Sequence, residues 1–126
     1  MSPNICIVPM GGLCNRLRLL LSVVEISSRQ PNLRFDIDWS KHPECYAWFE
    51  ELFEPLNLPA ITIHHQRWWT ALHRLQNSWW PGLVRLAKGY TFQRGYYLPK
   101  DEAALHDVLS RHRRLYIATC YSLCDY

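Results

Sequence analysis

Residues 5–22 read ICIVPMGGLCNRLRLLLS, and the fold turns on how this stretch changes its period. Ile5, Cys6, Ile7 and Val8 form a short, continuous, mostly β-branched apolar run, the pattern of a strand covered on both faces. Pro9 and the pair Gly11-Gly12 stop it. From Leu17 the apolar positions recur at Leu17, Leu20, Leu21 and Val24, the spacing of a helix packed along one side. The stretch therefore predicts strand, tight turn, helix. Such a turn has a chemical use, because the first N–H groups of a helix lack intrahelical partners and the helix dipole favours an anion beside them. Gly11 and Gly12 permit positive φ and have no Cβ to hold a ligand off. Asn15 can cap the helix or offer its amide, and Arg16 and Arg18 carry planar donor forks suited to phosphate oxygens. A glycine turn that merely lets a strand enter a helix fits the same residues, and neither the G-x-G-x-x-G nor the G-x-x-x-x-G-K-[ST] pattern is present.

Outward from this stretch, Arg29-Gln30-Pro31-Asn32 ends the helix, since proline cannot continue its ladder. Leu33, Phe35 and Ile37 then alternate with Arg34, Asp36 and Asp38, a strand with one apolar face. Strand, helix, strand is a βαβ unit with parallel strands and a right-handed crossover. Ligands of such sheets sit beyond the carboxyl ends of the strands, which places the Gly11 turn and the Asp38-Trp39 corner on one edge. An acid ending the second strand holds a ribose hydroxyl in Rossmann domains, usually about 20 residues beyond the turn. Asp38 lies 26 residues beyond Gly12, and closing a strand end or capping the next segment accounts for it more simply. Trp39 can stack on a sugar or seal the core.

Residues 44–53, ECYAWFEELF, predict a short amphipathic helix stopped by Pro55, and Ala60–Ile63 a third strand. His64-His65 is not a metal pair, because adjacent side chains diverge on a helix or a strand, and Cys120 and Cys124 do not make a zinc site. Trp68 to Leu86 is rich in tryptophan and arginine, with Trp68, Trp69, Leu72, Leu75 and Trp79 near one helical stripe that Pro81-Gly82 breaks. That stripe suits an anionic membrane surface, an acceptor glycan, or packing against the sheet or a second domain. Tyr90 to Leu98 reads as an irregular aromatic loop. Pro99 to Arg111 reads as a helix with acids in its first turn and bases in its last, and Leu115 to Cys120 as a further strand.

The chain has 126 residues, 48% hydrophobic and 20% charged, which is one domain with a single core and too apolar for disorder. A net charge of +3, with arginines scattered along the sequence, argues against a nucleic-acid stripe. No signal peptide is legible, and no apolar run approaches the roughly 20 residues of a membrane span. Five cysteines cannot all pair internally, and Cys6 and Cys14 suit buried or reduced thiols, so a cytoplasmic setting is expected.

Gly11-Gly12-Leu13-Cys14-Asn15-Arg16-Leu17-Arg18 resembles the amino-terminal G-G-x-x-N-[RQ]-L element of the fucosyltransferase-like glycosyltransferases, the group of nodulation, α-1,2- and protein O-fucosyltransferases. The resemblance continues through Phe35-Asp36-Ile37-Asp38-Trp39 and, more loosely, Phe49 to Pro55, so it covers the first 55 residues or so. It implies an α/β fold, a Rossmann-like parallel sheet with flanking helices that forms one half of a two-Rossmann-domain enzyme. Residues 1–126 are then the amino-terminal domain, expected to be truncated before the half that carries the main His/Arg donor motif. It further implies GDP-fucose as a nucleotide-sugar co-substrate, no cofactor or metal, and a glycan or other hydroxyl acceptor. Gly11, Gly12, Asn15 and Arg16 are expected at the leaving group or nucleotide sugar, with Asp38 beside them; no residue is named as the base. The fragment alone is expected to be inactive, and its aromatic surface to self-associate or meet the other half. A stand-alone α/β module, using an aromatic and basic surface for a protein or membrane, is the alternative.

Overall fold

The computed structural model describes residues 4–41, 43–70, 80–94, 98–99, 101–120 and 122–124. Strand β1 (Asn4–Pro9) leads into helix α1 (Leu13–Arg29), strand β2 (Arg34–Trp39), the single-turn helix α2 (Phe49–Leu52) and strand β3 (Ile61–His65). A 3₁₀ turn (Trp68–Thr70), helix α3 (Trp80–Ala87), strand β4 (Thr91–Arg94), helix α4 (Glu102–Arg111) and strand β5 (Arg114–Thr119) follow. The strands form one five-stranded sheet in the order β3-β2-β1-β5-β4, and every pairing is parallel. The α/β, Rossmann-like class expected from the sequence is the one observed.

The strand order dictates which face each helix covers. The steps β1 to β2 and β4 to β5 cross the sheet in the same sense, so right-handed crossovers put α1 and α4 on one face. There Ile5, Ile7, Phe35, Ile37, Leu115 and Ile117 pack against Leu19, Val23 and Ile26 of α1 and Leu105 and Leu109 of α4. The step from β3 to β4 runs the other way, and its 3₁₀ turn and α3 lie on the opposite face, where Cys6, Val8 and Tyr116 meet Trp69, Tyr90 and Val84. Between β2 and β3 the connections therefore part company. The loop after β2 stays on the α1 face, with Trp39, Cys45 and Phe49 against Leu20, while the chain after β3 passes to the other. Such a switch opens a crevice at the carboxyl ends of the two strands.

Several elements differ from the sequence expectation. Helix α1 begins at Leu13, so Gly12 is its N-cap and Asn15 lies in its first turn. Helix α3 (Trp80–Ala87) runs through Pro81-Gly82, where the sequence suggested a break, and residues 71–79 before it lie outside the described residues. The segment expected to be an irregular loop contains β4, an edge strand paired to β5 from Thr91 to Arg94. Helix α2 is one turn, and β3 extends to His65. Cys6 is buried and Cys14 exposed, each as a free thiol. Leu72, Leu75 and Trp79 of the expected stripe, with Tyr96 and Tyr97, lie outside the described residues. Among the described residues no disulfide links the five cysteines, and no helix is long and apolar enough to cross a membrane.

Candidate functional site

The glycine turn stands at the carboxyl edge between β1 and α1. Gly11 takes φ +84°, and a Cβ there would lie 3.1 Å from Asn15 Nδ2 and 3.5 Å from Cys120 Cβ, so any side chain at this position would be strained and would press on Asn15. Gly12 has ordinary extended angles, φ −78° and ψ 178°, and brings no side chain to cap the helix. Arg16 N makes the first helical bond, to Gly12 O at 3.1 Å, which leaves the N–H groups of Leu13, Cys14 and Asn15 without intrahelical partners. No acidic residue occupies this first turn. The arrangement offers backbone donors and a positive dipole end to an anion.

Arg16 does not face that opening. It is fully buried, with Nε donating to Gly11 O at 2.9 Å, Nη1 to Ser40 O at 2.6 Å and Nη2 to Ser40 Oγ at 3.1 Å. Its guanidinium also lies 4.9 Å from the ring centre of Trp39. Burial lowers its pKa, with Cys45 and Glu44 acting in the other direction. The expectation that its fork meets phosphate oxygens is therefore corrected: the fork ties the glycine turn to the loop after β2.

Asp38 is corrected in the same way. Alternation along β2 turns it to the face opposite α1, where it is fully buried. Its carboxylate accepts from Arg67 Nη2 at 2.6 Å, Arg67 Nε at 3.0 Å, Arg67 N at 3.0 Å and Thr70 Oγ1 at 2.7 Å. Burial acts to lower the pKa of Arg67, but hydrogen bonding and charge from Asp38 outweigh it and hold the guanidinium above its ordinary value. Asp38 thus anchors the turn that carries the chain from β3 across the sheet, and it reaches no open cleft. Gly11, Gly12 and Asn15 share the turn; Arg16 supports it from below; Asp38 stands apart.

At the β2/β3 switch the structure assembles a second locus that sequence reasoning missed. His65 is the register partner of Trp39, so it points to the α1 face. Its Nε2 lies 2.5 Å from Glu50 Oε1, and its ring stacks on Trp48 with centroids 3.9 Å apart and planes 8° apart. Glu50 is held below its ordinary pKa by its own backbone N–H and by His65. This pair stands at one end of a groove of about 620 Å³ beside edge strand β3, lined by Phe49, Phe53, Leu56, Leu58, Ile61 and Ile63. An apolar groove with an imidazole and carboxylate at its mouth can hold an organic ligand and accept a proton from it. Glu50 and His65 are 15 residues apart, and only the register of β3 brings them together. The neighbouring His64 points the other way, to Asp36 Oδ1 at 2.9 Å. Among the described residues no group of three or more His, Cys, Asp or Glu side chains is placed to hold a metal ion.

The fold and these two loci define a Rossmann-like α/β domain with an uncapped glycine turn on its carboxyl edge and a groove along edge strand β3. Comparisons with protein-family profiles, with curated proteins and with solved structures return no match for this chain.

Proposed function

We propose that the chain is the nucleotide-sugar-binding, amino-terminal domain of a glycosyltransferase, with the diphosphate at the start of α1. One observation carries this reading: a glycine N-cap without a competing side chain, at the carboxyl edge of a parallel sheet, next to a turn that Gly11 closes at positive φ. Gly11 and Gly12 admit the diphosphate, Asn15 adds an amide, and Arg16 fixes the turn in place. The choice of fucose and GDP, and a cytoplasmic setting, rest on the resemblance in residues 11–18 and on cysteine usage. The acceptor takes the groove beside β3. Its hydroxyl oxygen attacks the anomeric carbon, the bond from that carbon to the diphosphate oxygen breaks with its electron pair leaving on the diphosphate, and His65, oriented by Glu50, receives the hydroxyl proton. In the resembled architecture the sugar nucleotide is enclosed between two such domains, so this one supplies a single wall and binds without transferring.

Calorimetric titration of the chain with GDP tests the reading. Binding that Gly11→Ala weakens at least tenfold supports it, whereas absence of binding at millimolar GDP, or binding indifferent to Gly11, overturns it. A stand-alone binding module remains the second reading, favoured by the rings of Tyr46 and Trp68, which are 73% and 56% exposed. Failure to bind GDP, together with dye binding that depends on those two rings, selects it.

A further inference from the structure

Helix α3, on the face of the sheet away from α1, is inverted in polarity. Its single charged residue, Arg85, is only 9% exposed and lies with its guanidinium 4.5 Å from the ring centre of Tyr116. The next residue, Leu86, is 70% exposed, and Leu83 is exposed as well. At 3.6 residues per turn Leu83 and Leu86 stand about 60° apart on the helix, opposite the stripe of Val84 and Arg85 that packs inward. Trp68, also exposed, belongs to the 3₁₀ turn in contact with α3. Single exposed leucines are common on any surface. A helix that buries its cation and turns two leucines outward, beside an outward tryptophan, is built to be covered by something apolar.

Charge separates the candidates for that cover. Residues 55–100, which include β3, α3 and β4, hold six of the chain's fourteen Lys and Arg and none of its eleven Asp and Glu. This segment therefore carries +6, and the other eight cations against eleven acids leave −3 on the remainder. Strand β2 turns Asp36 and Asp38 toward the α3 side, where His64 and Arg67 engage them. Lys88 is exposed at the carboxyl end of α3, and Arg114, also exposed, donates Nη1 to its carbonyl at 2.6 Å. A basic segment with leucine and tryptophan outward matches the interfacial helix, whose apolar side chains enter the headgroup–acyl boundary while its cations meet anionic headgroups. A nucleic acid would use the cations and stack on the tryptophan, but it has no use for the leucines. A second copy of the chain is the poorer fit too, because a two-fold contact sets the same patch against itself and so cation against cation.

We propose that α3 seats the domain on an anionic lipid bilayer, with Leu83, Leu86 and Trp68 in the interface and Lys88 at the headgroups. The seat is independent of glycosyl transfer, and it leaves the glycine turn and the groove along β3 uncovered. Sedimentation of the chain with vesicles, read alongside its tryptophan fluorescence, tests it. Vesicles of phosphatidylcholine with phosphatidylglycerol should bind the chain at least tenfold more tightly than phosphatidylcholine alone, and added salt should loosen the complex. Leu83→Gln/Leu86→Gln should weaken binding at least tenfold, and Lys88→Glu should weaken it on the anionic vesicles. Leu86→Gln alone, at the more exposed position, stands in should the pair fail to fold. Leu21→Gln, which alters an exposed leucine of α1 on the other face, should leave binding unchanged. Absence of binding to anionic vesicles overturns the proposal, as does binding that is indifferent to Leu83 and Leu86 or lost equally in Leu21→Gln. Capture of a single-stranded oligonucleotide without vesicle binding, or a dimer in place of it that Leu83→Gln/Leu86→Gln dissociates, overturns it as well and gives the face to that other partner.

Discussion

Arg16 spans from the first turn of α1 to Ser40 at the end of β2, giving Nη1 to the Ser40 carbonyl at 2.6 Å and Nη2 to its hydroxyl at 3.1 Å. With Nε on Gly11 O, one buried cation holds the glycine turn and the β2 loop in a fixed relation. Lysine carries the same charge on a single nitrogen and cannot satisfy three acceptors in this planar arrangement. Arg16→Lys should therefore lower stability by about 2–4 kcal/mol in urea unfolding, because buried acceptors are left unpaired. A loss below about 0.5 kcal/mol, the scatter of ordinary surface changes, would show that the fork is dispensable.

The Asp38–Arg67 pair makes a sharper case, since four donors converge on one fully buried carboxylate. Removing only one partner strands the other, and such half-removals of buried pairs cost about 3–5 kcal/mol. Asp38→Asn should lose most of that, and Asp38→Asn/Arg67→Met should recover part of it. A double variant no more stable than Asp38→Asn would mean that Arg67 is indifferent to losing its partner.

The course of β1, α1, β2 and β5 was legible because each buries a face whose period shows in the residues, as in Ile5, Ile7, Phe35 and Ile37. β4 was not, because the fragment Thr91-Phe92-Gln93-Arg94 is a short edge strand without alternation, and its pairing is supplied by β5. The glycine turn was legible as a turn. Alternation already set Asp36 and Asp38 on the face away from Phe35 and Ile37, but nothing local announced that Arg67, 29 residues later, would occupy that face. The donor fork of Arg16 was legible as chemistry and misplaced in space, since burial of an arginine depends on a loop 24 residues away. His65 and Glu50 are ordinary residues in ordinary stretches until the sheet is assembled.

The two glycines make opposite predictions. At Gly11 a side chain must adopt φ +84° and press on Asn15, so Gly11→Ala should cost about 1–2 kcal/mol. At Gly12 the backbone is already extended and an added Cβ meets only Glu44 O at 3.6 Å, an ordinary contact. Gly12→Ala should stay within about 1 kcal/mol of the parent, the value of a weak cap. Equal losses for the two, measured by thermal unfolding, would contradict the turn geometry.

Alkaline pH should expose the buried thiol of Cys6 and the phenol of Tyr116. Both are fully buried, Cys6 beside Asp38 and Arg67 and Tyr116 beside Arg85, and burial pushes both far above their ordinary values of 9.0 and 10.0. Asp38 adds to the rise at Cys6. In the unfolded chain the thiol gives up its proton near its ordinary value, whereas in the folded protein it keeps it. Above that pH the folded state binds the additional proton, so stability falls as pH rises; below it this group contributes no slope. The expected fall is about 1.4 kcal/mol per pH unit from Cys6, steepening when Tyr116 joins about one pH unit higher. Cys6→Val keeps the packing without the proton, and should hold a level stability until the tyrosine phase begins. Urea midpoints that stay flat through both ordinary values in the parent, or a Cys6→Val profile parallel to the parent's, would show that neither proton is held by the fold.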